Sequence, residues 1–446
     1  LDAFGLEPVK ISDVLAERTT PTLDDFDDIE DIRYHGVEIS KFARSNAYRY
    51  RKRYYLDMQD SEDRSAYQRF LRSGLRVAEV ADWIYETYDV DATISFMSAY
   101  IYGGIYLKMA QNRDIPARTF RKGYIDKTLL IGDMKNVSPN ALYANSEVVQ
   151  KAIETPLSDT EQRLLEKIMS GRETGETTRQ YQIQGSSGEL DLGDDSIVVG
   201  LFPNVPWDAA LDVYNVTFDS LYEWIQTTVD ALGDRSDITM ILKPHPGEVR
   251  AGSGKWARVS DWVTEELEPL PANIVVLSPE TEVSPYELMS DLDVGIVYMS
   301  TVGMEMAYRG IPMIMVENTH YRDIGFTFDP GTPREYEELL DSLSSLSMDE
   351  TMQTAVEKYL YLLFVQRHLE FPFYDTEDNF SRQTQRLPVS HETLASDDIL
   401  EAIVDGVLTG EPVMKPREAT SGIEEIAFRL WRGRHHYSNS SLAIDY

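Results

Sequence analysis

The amino-acid sequence predicts an α/β protein with two Rossmann-like domains that face a cleft, the C-terminal one built on a doubly wound parallel sheet. Apolar strands alternate with helices from residue 196 onward. A polar, glycine-rich and acidic stretch at residues 171–195 has no hydrophobic period, which indicates a linker or boundary. Before it, residues 91–113 run as a strand, a glycine pair and a helix, which is the order of a βα unit.

Five apolar runs in the second half predict the strands of its sheet. With helices between them, such runs are typical of a parallel sheet that is covered on both faces. We assign the strands to residues 196–202, 237–244, 273–277, 293–298 and 311–316, and the helices to residues 216–232, 255–268, 285–290 and 301–309. Ligands of such sheets bind at the carboxyl ends of the strands, so we expect function in the loops there.

The domain boundaries follow from the same pattern. Residues 1–185 predict an N-terminal α/β domain with an acidic leading arm, in which further strands fall near residues 117–120 and 128–131. Residues 196–390 predict the C-terminal Rossmann-like domain. In residues 391–446, a helix near residues 397–408 and an amphipathic segment at residues 423–437 are expected to pack back across both domains.

The charge of the chain is strongly acidic. It carries 76 Asp and Glu against 42 Lys and Arg, a formal net charge of −34, and only 13 of its cations are lysines. Such a field repels nucleic acid and anionic membranes at long range, so no nucleic-acid partner is expected. We interpret the composition as salt adaptation of the kind found in halophilic archaea, because molar salt shortens the Debye length to about 3 Å. An ordinary acidic protein is the alternative.

Cysteine is absent, which excludes disulfides, thiolate metal ligands and cysteine nucleophiles. No apolar run approaches the ~18 residues of a spanning helix, and the first ten residues lack the pattern of a signal peptide. We therefore expect a cytoplasmic protein, soluble or peripheral at the inner face of the membrane.

A histidine stands at the end of the second predicted strand, in the sequence ILKPHPGE. Pro246 favours an extended backbone at His245. Lys243 and His245 are two residues apart on a strand, so both side chains point to the same side, where each can donate hydrogen bonds to a phosphate or a base carbonyl. The alternative is a loop histidine followed by a turn-forming proline.

The fourth predicted strand is followed by Ser300, Thr301 and Gly303 and then by a helix. Free N–H groups, two hydroxyls and the positive end of the helix dipole can together bind a phosphate without a metal. Glu305 lies one turn further on, where its carboxylate could accept hydrogen bonds from the hydroxyls of a ribose. Alternatively, Ser300 only caps the helix.

Two other loops follow strands of the same sheet. In FPNVPWDAA, we expect the side chains of Asn204, Trp207 and Asp208 to face the cleft. Trp207 could equally be buried as part of the core. In VENTHYRDIGFTFDP, four polar side chains are candidate contacts for a phosphate or a sugar: Glu317, His320, Tyr321 and Arg322. Alternatively, each of them only stabilises the loop.

Taken in order, FPNVPWDAA, ILKPHPGE, the segment from SPYELMS to GIPMIMV, and YRDIGFTFDP resemble the capsule polysaccharide biosynthesis group of GT-B glycosyltransferases. That group is similar to the CMP-sugar and CDP-glycerol transferases, which carry an HP motif followed by a Ser/Thr pair. The resemblance covers roughly residues 197–338 and, more weakly, residues 67–130. It implies a GT-B-like fold and transfer of a sugar, without a metal or other cofactor, from a nucleotide sugar to a glycan or lipid-linked acceptor in surface polysaccharide or glycoprotein glycan assembly.

The same resemblance implies roles for single residues. His245 and Pro246 would contact the nucleotide or its phosphate, Ser300 and Thr301 the phosphate, and Glu305 the ribose. The first domain, which would bind the acceptor, departs from the pattern, because SFMSAYIYGG has Ser98 and Tyr100 where many such enzymes have His or Asn.

In this scheme Lys243, His245 and the helix end at Ser300 stabilise the charge of the leaving group. An inverting reaction also needs a general base, and Asp208 is our choice only because of its expected position in the cleft. Two alternatives stay open. One is a nucleotide-sugar 2-epimerase on the same fold, and the other is a non-catalytic scaffold in a glycan-assembly complex.

A DxD sequence at Asp291 and Asp293 has the form that metal-dependent glycosyltransferases use for Mn²⁺ or Mg²⁺. We expect no metal there, because the pair joins a helix to a buried strand and the phosphate site has its own donors. The motifs HExxH, GxSxG and GxxxxGK[ST] do not occur, so nothing indicates zinc hydrolysis, serine hydrolysis or P-loop chemistry.

A basic cluster at residues 44–53 stands out in this acidic chain; it contains Arg44, Arg49, Arg51, Lys52 and Arg53. If the segment is helical, Arg49, Lys52 and Arg53 share a face that could meet a lipid phosphate at the membrane. The alternative is that the arginines pair with the acidic residues 24–31.

Overall fold

The structure is a computed structural model. It describes residues 10–125, 127–132, 144–174, 196–208, 215–252, 257–281, 283–371, 374–377, 382–385, 397–415 and 417. The predicted linker beyond residue 174 and the predicted amphipathic segment at residues 423–437 lie outside these residues. Among the described residues, no helix has both the length and the apolar character needed to cross a membrane.

The first half combines helices with a small mixed sheet. Its elements are α1 (Ile11–Glu17), β1 (Arg33–Tyr34), β2 (Val37–Glu38), α2 (Ile39–Arg51), α3 (Ser61–Thr87), β3 (Thr93–Phe96), α4 (Ile101–Gln111), β4 (Ala117–Lys122), β5 (Thr128–Ile131), α5 (Ser146–Glu154) and α6 (Asp159–Glu173).

The second half alternates strands with helices as predicted. Its elements are β6 (Ile197–Phe202), α7 (Leu221–Leu232), β7 (Ile238–Leu242), α8 (Val259–Glu266), β8 (Ile274–Val276), α9 (Pro285–Leu288), β9 (Val294–Val297), α10 (Val302–Tyr308), β10 (Met313–Met315), α11 (Pro333–Asp341) and α12 (Glu350–Tyr361). The chain ends in β11 (Leu369–Glu370), β12 (Tyr374–Glu377), β13 (Arg382–Gln385) and α13 (Asp398–Thr409).

The large sheet has five parallel strands in the order β10-β9-β6-β7-β8. From β6 the chain first winds outward through β7 and β8, and then crosses to the other side of β6 to form β9 and β10. Such a reversal leaves a crevice at the carboxyl ends of the two strands between which it occurs, here β6 and β9. The predicted fold class and doubly wound sheet are confirmed.

Helices cover both faces of this sheet because successive strand residues point to opposite sides. Val199 and Leu201 pack into one apolar cluster with residues of α7 and α8, whereas Val198 and Phe202 belong to a second cluster with α10 and α12. Burial on both faces is what makes these strands continuous apolar runs in the sequence.

The small sheet has four strands in the order β11-β5-β4-β3, with β3 parallel to β4. Its edge strand β11 comes from the far end of the chain, since Leu369 pairs with Leu129. Ile403 and Val407 of α13 pack beside Leu369 and Ile131. The chain therefore returns to the first sheet about twenty residues before the predicted boundary at residue 390.

Helices α5 and α6 belong to the packing of the second half, although their sequence precedes the predicted linker. Leu165 and Ile168 of α6 join the cluster that contains Val356 and Leu360 of α12. Helix α6 also extends to Glu173, so the first residues of the stretch predicted as a linker are helical.

Candidate functional site

A side-chain hydrogen bond joins the two loops that border the crevice at the carboxyl ends of β6 and β9. The Asn204 Oδ1, two residues after β6, accepts a hydrogen bond from the Met299 N–H, two residues after β9, at 3.2 Å. The N–H of Lys243, directly after β7, donates to the Leu201 carbonyl at 2.9 Å. The loops that carry Asn204, Lys243 and Ser300 therefore lie side by side at one edge of the sheet.

Lys243 is a buried cation, only 2% exposed. No residue that the structure describes offers its Nζ a hydrogen-bond partner. Burial lowers the pKa of this ammonium to about 8, because the charged form loses its hydration. An uncompensated ammonium is costly to bury, and an anionic ligand would remove that cost.

His245 is oriented by its own loop. Its Nδ1 accepts the Gly247 N–H at 2.9 Å, as the cap of a 3-10 turn at Pro246–Arg250. The neutral imidazole therefore carries its hydrogen on Nε2. Burial, with a contribution from the charge of Lys243, lowers the pKa of His245 to about 4. At neutral pH the ring is an uncharged hydrogen-bond donor.

The loop after β9 reaches the short helix α10. Thr301 makes no side-chain cap, and the Val302 N–H meets the Ser300 Oγ only at 3.5 Å, so neither hydroxyl is strongly held by the helix. The Tyr321 hydroxyl donates to the Ser300 carbonyl and fixes the turn. A Cβ at Gly303 would lie 2.5 Å from that hydroxyl, so packing alone already requires this glycine.

Glu305 has a partner that the sequence did not predict. Its Oε1 accepts from two nitrogens of Arg172 in α6, with the Arg172 Nε at 3.1 Å and the Nη2 in closer contact. Both side chains are buried, and the Arg172 guanidinium also lies over the Phe364 ring at 4.5 Å. The ribose contact expected of Glu305 stays a prediction, and Arg172 restrains the carboxylate that would make it.

Two candidates in the loop after β10 make structural hydrogen bonds. Glu317 is fully buried and accepts from the backbone N–H groups of residues 216–218, which ties that segment down before α7 begins. Arg322 donates to the carbonyls of Met315, Val316 and Pro330. The nucleotide contact expected of Arg322 stays a prediction, and these backbone oxygens restrain the guanidinium that would make it.

The other two residues of this loop also serve packing. The His320 Nδ1 lies 2.6 Å from the Tyr359 hydroxyl, which donates to the His320 carbonyl. Burial holds the pKa of His320 far below its usual range. Tyr321 and Phe326 stack in parallel beside it. His320 is thus bonded to Tyr359 of α12, and Tyr321 to the Ser300 turn, so this loop connects the helix to the turn.

Asp208 lies near the first half of the chain. Burial raises the pKa of Tyr100 to about 12, and the negative charge of Asp208 is the second contribution to this rise. Tyr100 precedes α4, and its hydroxyl accepts from the Arg49 Nη1 at 3.0 Å. Arg49, Tyr100 and Asp208 thus bring the predicted acceptor side and the sheet edge together, whereas Trp207 beside them is buried as core packing.

The basic cluster at residues 44–53 does not form the predicted face. Helix α2 ends at Arg51 and Lys52 has a left-handed backbone, so Arg53 leaves the helix and cannot share a face with Arg49. Arg51 and Arg53 pair with the buried Asp63. The acidic partners of Arg51 and Arg53 come from the start of α3 and not from residues 24–31, whereas Arg44 donates to the backbone carbonyl of Glu30.

One residue of the DxD sequence, Asp293, makes a structural hydrogen bond. The Asp293 Oδ2 accepts the Val198 N–H at 2.8 Å and so fixes the start of β6. Among the described residues, no group of three or more His, Asp or Glu side chains could hold a metal ion.

Comparisons with known proteins give fold neighbours. No protein-family model and no curated protein sequence matches the chain. A solved structure of Thermosulfurimonas dismutans KpsC, a β-Kdo 2,4 transferase, is 13% identical, and the match covers 60% of this chain and 79% of that chain at a TM-score of 0.37. A putative UDP-N-acetylglucosamine 2-epimerase from Listeria monocytogenes is 10% identical, with 81% and 84% covered and a TM-score of 0.30.

A third neighbour is the Methanocaldococcus jannaschii UDP-GlcNAc 2-epimerase, solved with UDP-GlcNAc and UDP, at 12% identity, 66% and 81% coverage and a TM-score of 0.30. Glycosyltransferases and epimerases both occur among these neighbours. Likeness at this level assigns no activity, so the function has to be inferred from the chain's own residues.

Proposed function

We propose that the chain is a metal-independent glycosyltransferase that binds a nucleotide sugar at the carboxyl ends of β6, β7 and β9 and moves the sugar to an acceptor bound by the first half of the chain. The observation that carries the proposal is Lys243, a buried ammonium without a hydrogen-bond partner among the described residues. It lies two residues before His245, whose Nδ1 accepts the Gly247 N–H, so that the ring hydrogen is on Nε2. A cation, a neutral donor and the Ser300 and Thr301 hydroxyls form a set suited to a nucleotide phosphate.

The same groups would act in the reaction. As the bond between sugar and phosphate breaks, negative charge grows on the leaving nucleotide, and preorganised donors stabilise it without reorganisation. Lys243 supplies the charge, and His245 and Ser300 supply directed hydrogen bonds. Asp208 is the proposed general base toward the acceptor hydroxyl, because it approaches Tyr100 of the acceptor side.

The donor phosphate site is tested first by a thermal-unfolding screen against CMP, CDP, UDP, GDP and ADP in high salt. A ligand that binds only the folded state raises stability by mass action, so we expect at least one nucleotide to raise the melting temperature and Lys243→Met to abolish that rise. The sugar nucleotides of the best base are then offered with candidate acceptors.

We expect sugar on the acceptor, with turnover that survives EDTA. Free altered sugar without transfer would indicate an epimerase instead. Turnover that EDTA abolishes and Mn²⁺ or Mg²⁺ restores would contradict the metal-independent proposal and direct attention back to Asp291. No binding of any nucleotide would contradict the proposal altogether and favour a scaffold.

A further inference from the structure

Helix α3 carries an exposed row of arginines that the proposed function does not use. Arg69, Arg72 and Arg76 are three and four residues apart, so their side chains lie on one face of the helix over about 10 Å. All three are exposed. From residue 64 to residue 78 the helix has four arginines and no acidic residue. We name Arg69, Arg72 and Arg76 the arginine face.

The arginine face is not neutralised by the described part of the chain, where no ion pair reaches any of the three. The basic residues just before α3 behave differently, because Arg51 and Arg53 are paired with acidic residues at its start. In a chain with a net charge of −34, a row of unpaired cations is a local reversal of the overall field. It would attract an anionic surface at close range.

Aromatic side chains border the arginine face. Tyr50 of α2 is 57% exposed, and the Arg69 guanidinium lies 4.4 Å from the centre of its ring and 5.3 Å from that of Phe70. A cation held on an aromatic ring is kept at the surface and partly shielded from water. Tyrosine and arginine have a polar end and a less polar remainder. They therefore suit the boundary between water and a lipid headgroup layer, where the polar end is hydrated and the remainder is not.

We propose that the arginine face docks the chain onto the surface of an anionic lipid bilayer. The face is the outer side of a single helix, so it presents its charges on a convex surface, which suits a broad planar partner better than a polymer that has to be enclosed. The Debye length is about 8 Å in 0.15 M salt and about 3 Å in molar salt. In either case most of the acidic surface lies beyond the range at which it repels the membrane, while the arginines are in contact with the lipid headgroups.

The test is co-sedimentation of the full chain with vesicles of phosphatidylcholine alone or mixed with phosphatidylglycerol. We expect binding only to the mixed vesicles, and a partition coefficient at least about tenfold lower after Arg69→Glu, Arg72→Glu and Arg76→Glu together. The control changes three exposed arginines elsewhere, Arg33, Arg163 and Arg334, to Glu, which alters the net charge equally. It should bind like the parent.

Thermal unfolding and nucleotide binding show whether each variant is folded. If the charge reversal prevents folding, the milder triple change of the arginine face to Gln takes its place, with the same expected loss. The proposal is overturned if the parent does not bind the mixed vesicles, or if both charge-reversal triples lose binding equally. It is also overturned if the arginine face binds a soluble polyanion such as dextran sulfate but no vesicle, which would indicate an anionic glycan.

Discussion

At the scale of single residues, the protein treats its buried charges in two ways. Arg172 and Glu305 are buried together, and Arg172 also packs on the Phe364 ring. Lys243 is buried without a described partner. A paired charge is retained by its neighbour, whereas an unpaired one makes the folded protein less stable until an anion arrives. This difference separates a structural pair from a candidate binding residue.

Removing Arg172 should therefore be damaging. We expect Arg172→Met to lower the free energy of unfolding by about 3–5 kcal/mol, because it leaves the Glu305 carboxylate buried without its cation. Arg334→Met is the matched control, since its partner Glu338 is 61% exposed in the side chain and surface pairs contribute about 0–1 kcal/mol. Denaturant unfolding measures both. Equal losses in the two variants would show that the Arg172 pair is not important for stability.

At the scale of elements, the turn between β9 and α10 makes little use of its hydroxyls to cap the helix. Thr301 caps nothing, and Ser300 is 3.5 Å from the N–H nearest to it. Four other helices of the same half, α7, α9, α11 and α12, begin with shorter side-chain caps. The Thr332 side chain before α11, for example, accepts the Glu335 N–H at 3.2 Å. The Ser300 and Thr301 hydroxyls are consequently available to a ligand.

Replacing Ser300 and Thr301 together by Ala should weaken nucleotide binding and leave stability within about 0.5 kcal/mol of the parent, because no strong cap is lost. Thr332→Ala should do the opposite, costing about 1 kcal/mol while nucleotide binding stays unchanged. Calorimetric titration and denaturant unfolding give both quantities for each variant. If the double variant binds as tightly as the parent, the phosphate site lies elsewhere.

The elements of the large sheet could be predicted because each strand is an apolar run bounded by turn residues, and the motif residues adjoin those runs. Lys243 and His245 lie within three residues of the end of β7, so their place at the edge of the sheet could be predicted from the sequence around them. The partners of Glu317 and Arg322 are backbone N–H and carbonyl groups, which leave no signal in a sequence. Helix α7 also begins later than predicted, at Leu221, since Glu317 holds residues 216–218 out of the helix.

The return of the chain to the first sheet could not be predicted either. Strand β11 has only two residues, too few for a hydrophobic period, and its partner β5 lies far away in the sequence. The pairing of Arg172 with Glu305 is equally long-range. Nothing around Arg172 in the sequence distinguishes it from a surface arginine.

At the scale of the whole molecule, net charge governs the response to salt. A charge of −34 makes the compact state repel itself, and screening weakens that repulsion. We expect the melting temperature to rise steeply from low salt to molar KCl. Potassium chloride is compared with an uncharged osmolyte at equal osmolality, which should stabilise less. A melting temperature that is flat or falls with salt would contradict the salt-adaptation hypothesis.

The central claim is that an anionic ligand neutralises Lys243, and proton uptake on binding tests it most directly. The pKa of the unliganded ammonium is about 8, so at pH 8.5 the group is largely neutral, and a bound phosphate should return a sizeable fraction of one proton to it. At pH 7 the group is already charged and this uptake should be small. Titration calorimetry in buffers of different ionisation enthalpy measures the uptake.

The matched control is Lys243→Arg, which stays charged at every pH used and so should bind the same nucleotide without taking up a proton at this site. We predict uptake at pH 8.5 in the parent and little or none in the variant. Equal uptake by parent and variant, or nucleotide binding that is unaffected by Lys243→Met, would contradict the assignment of the donor phosphate to this edge of the sheet.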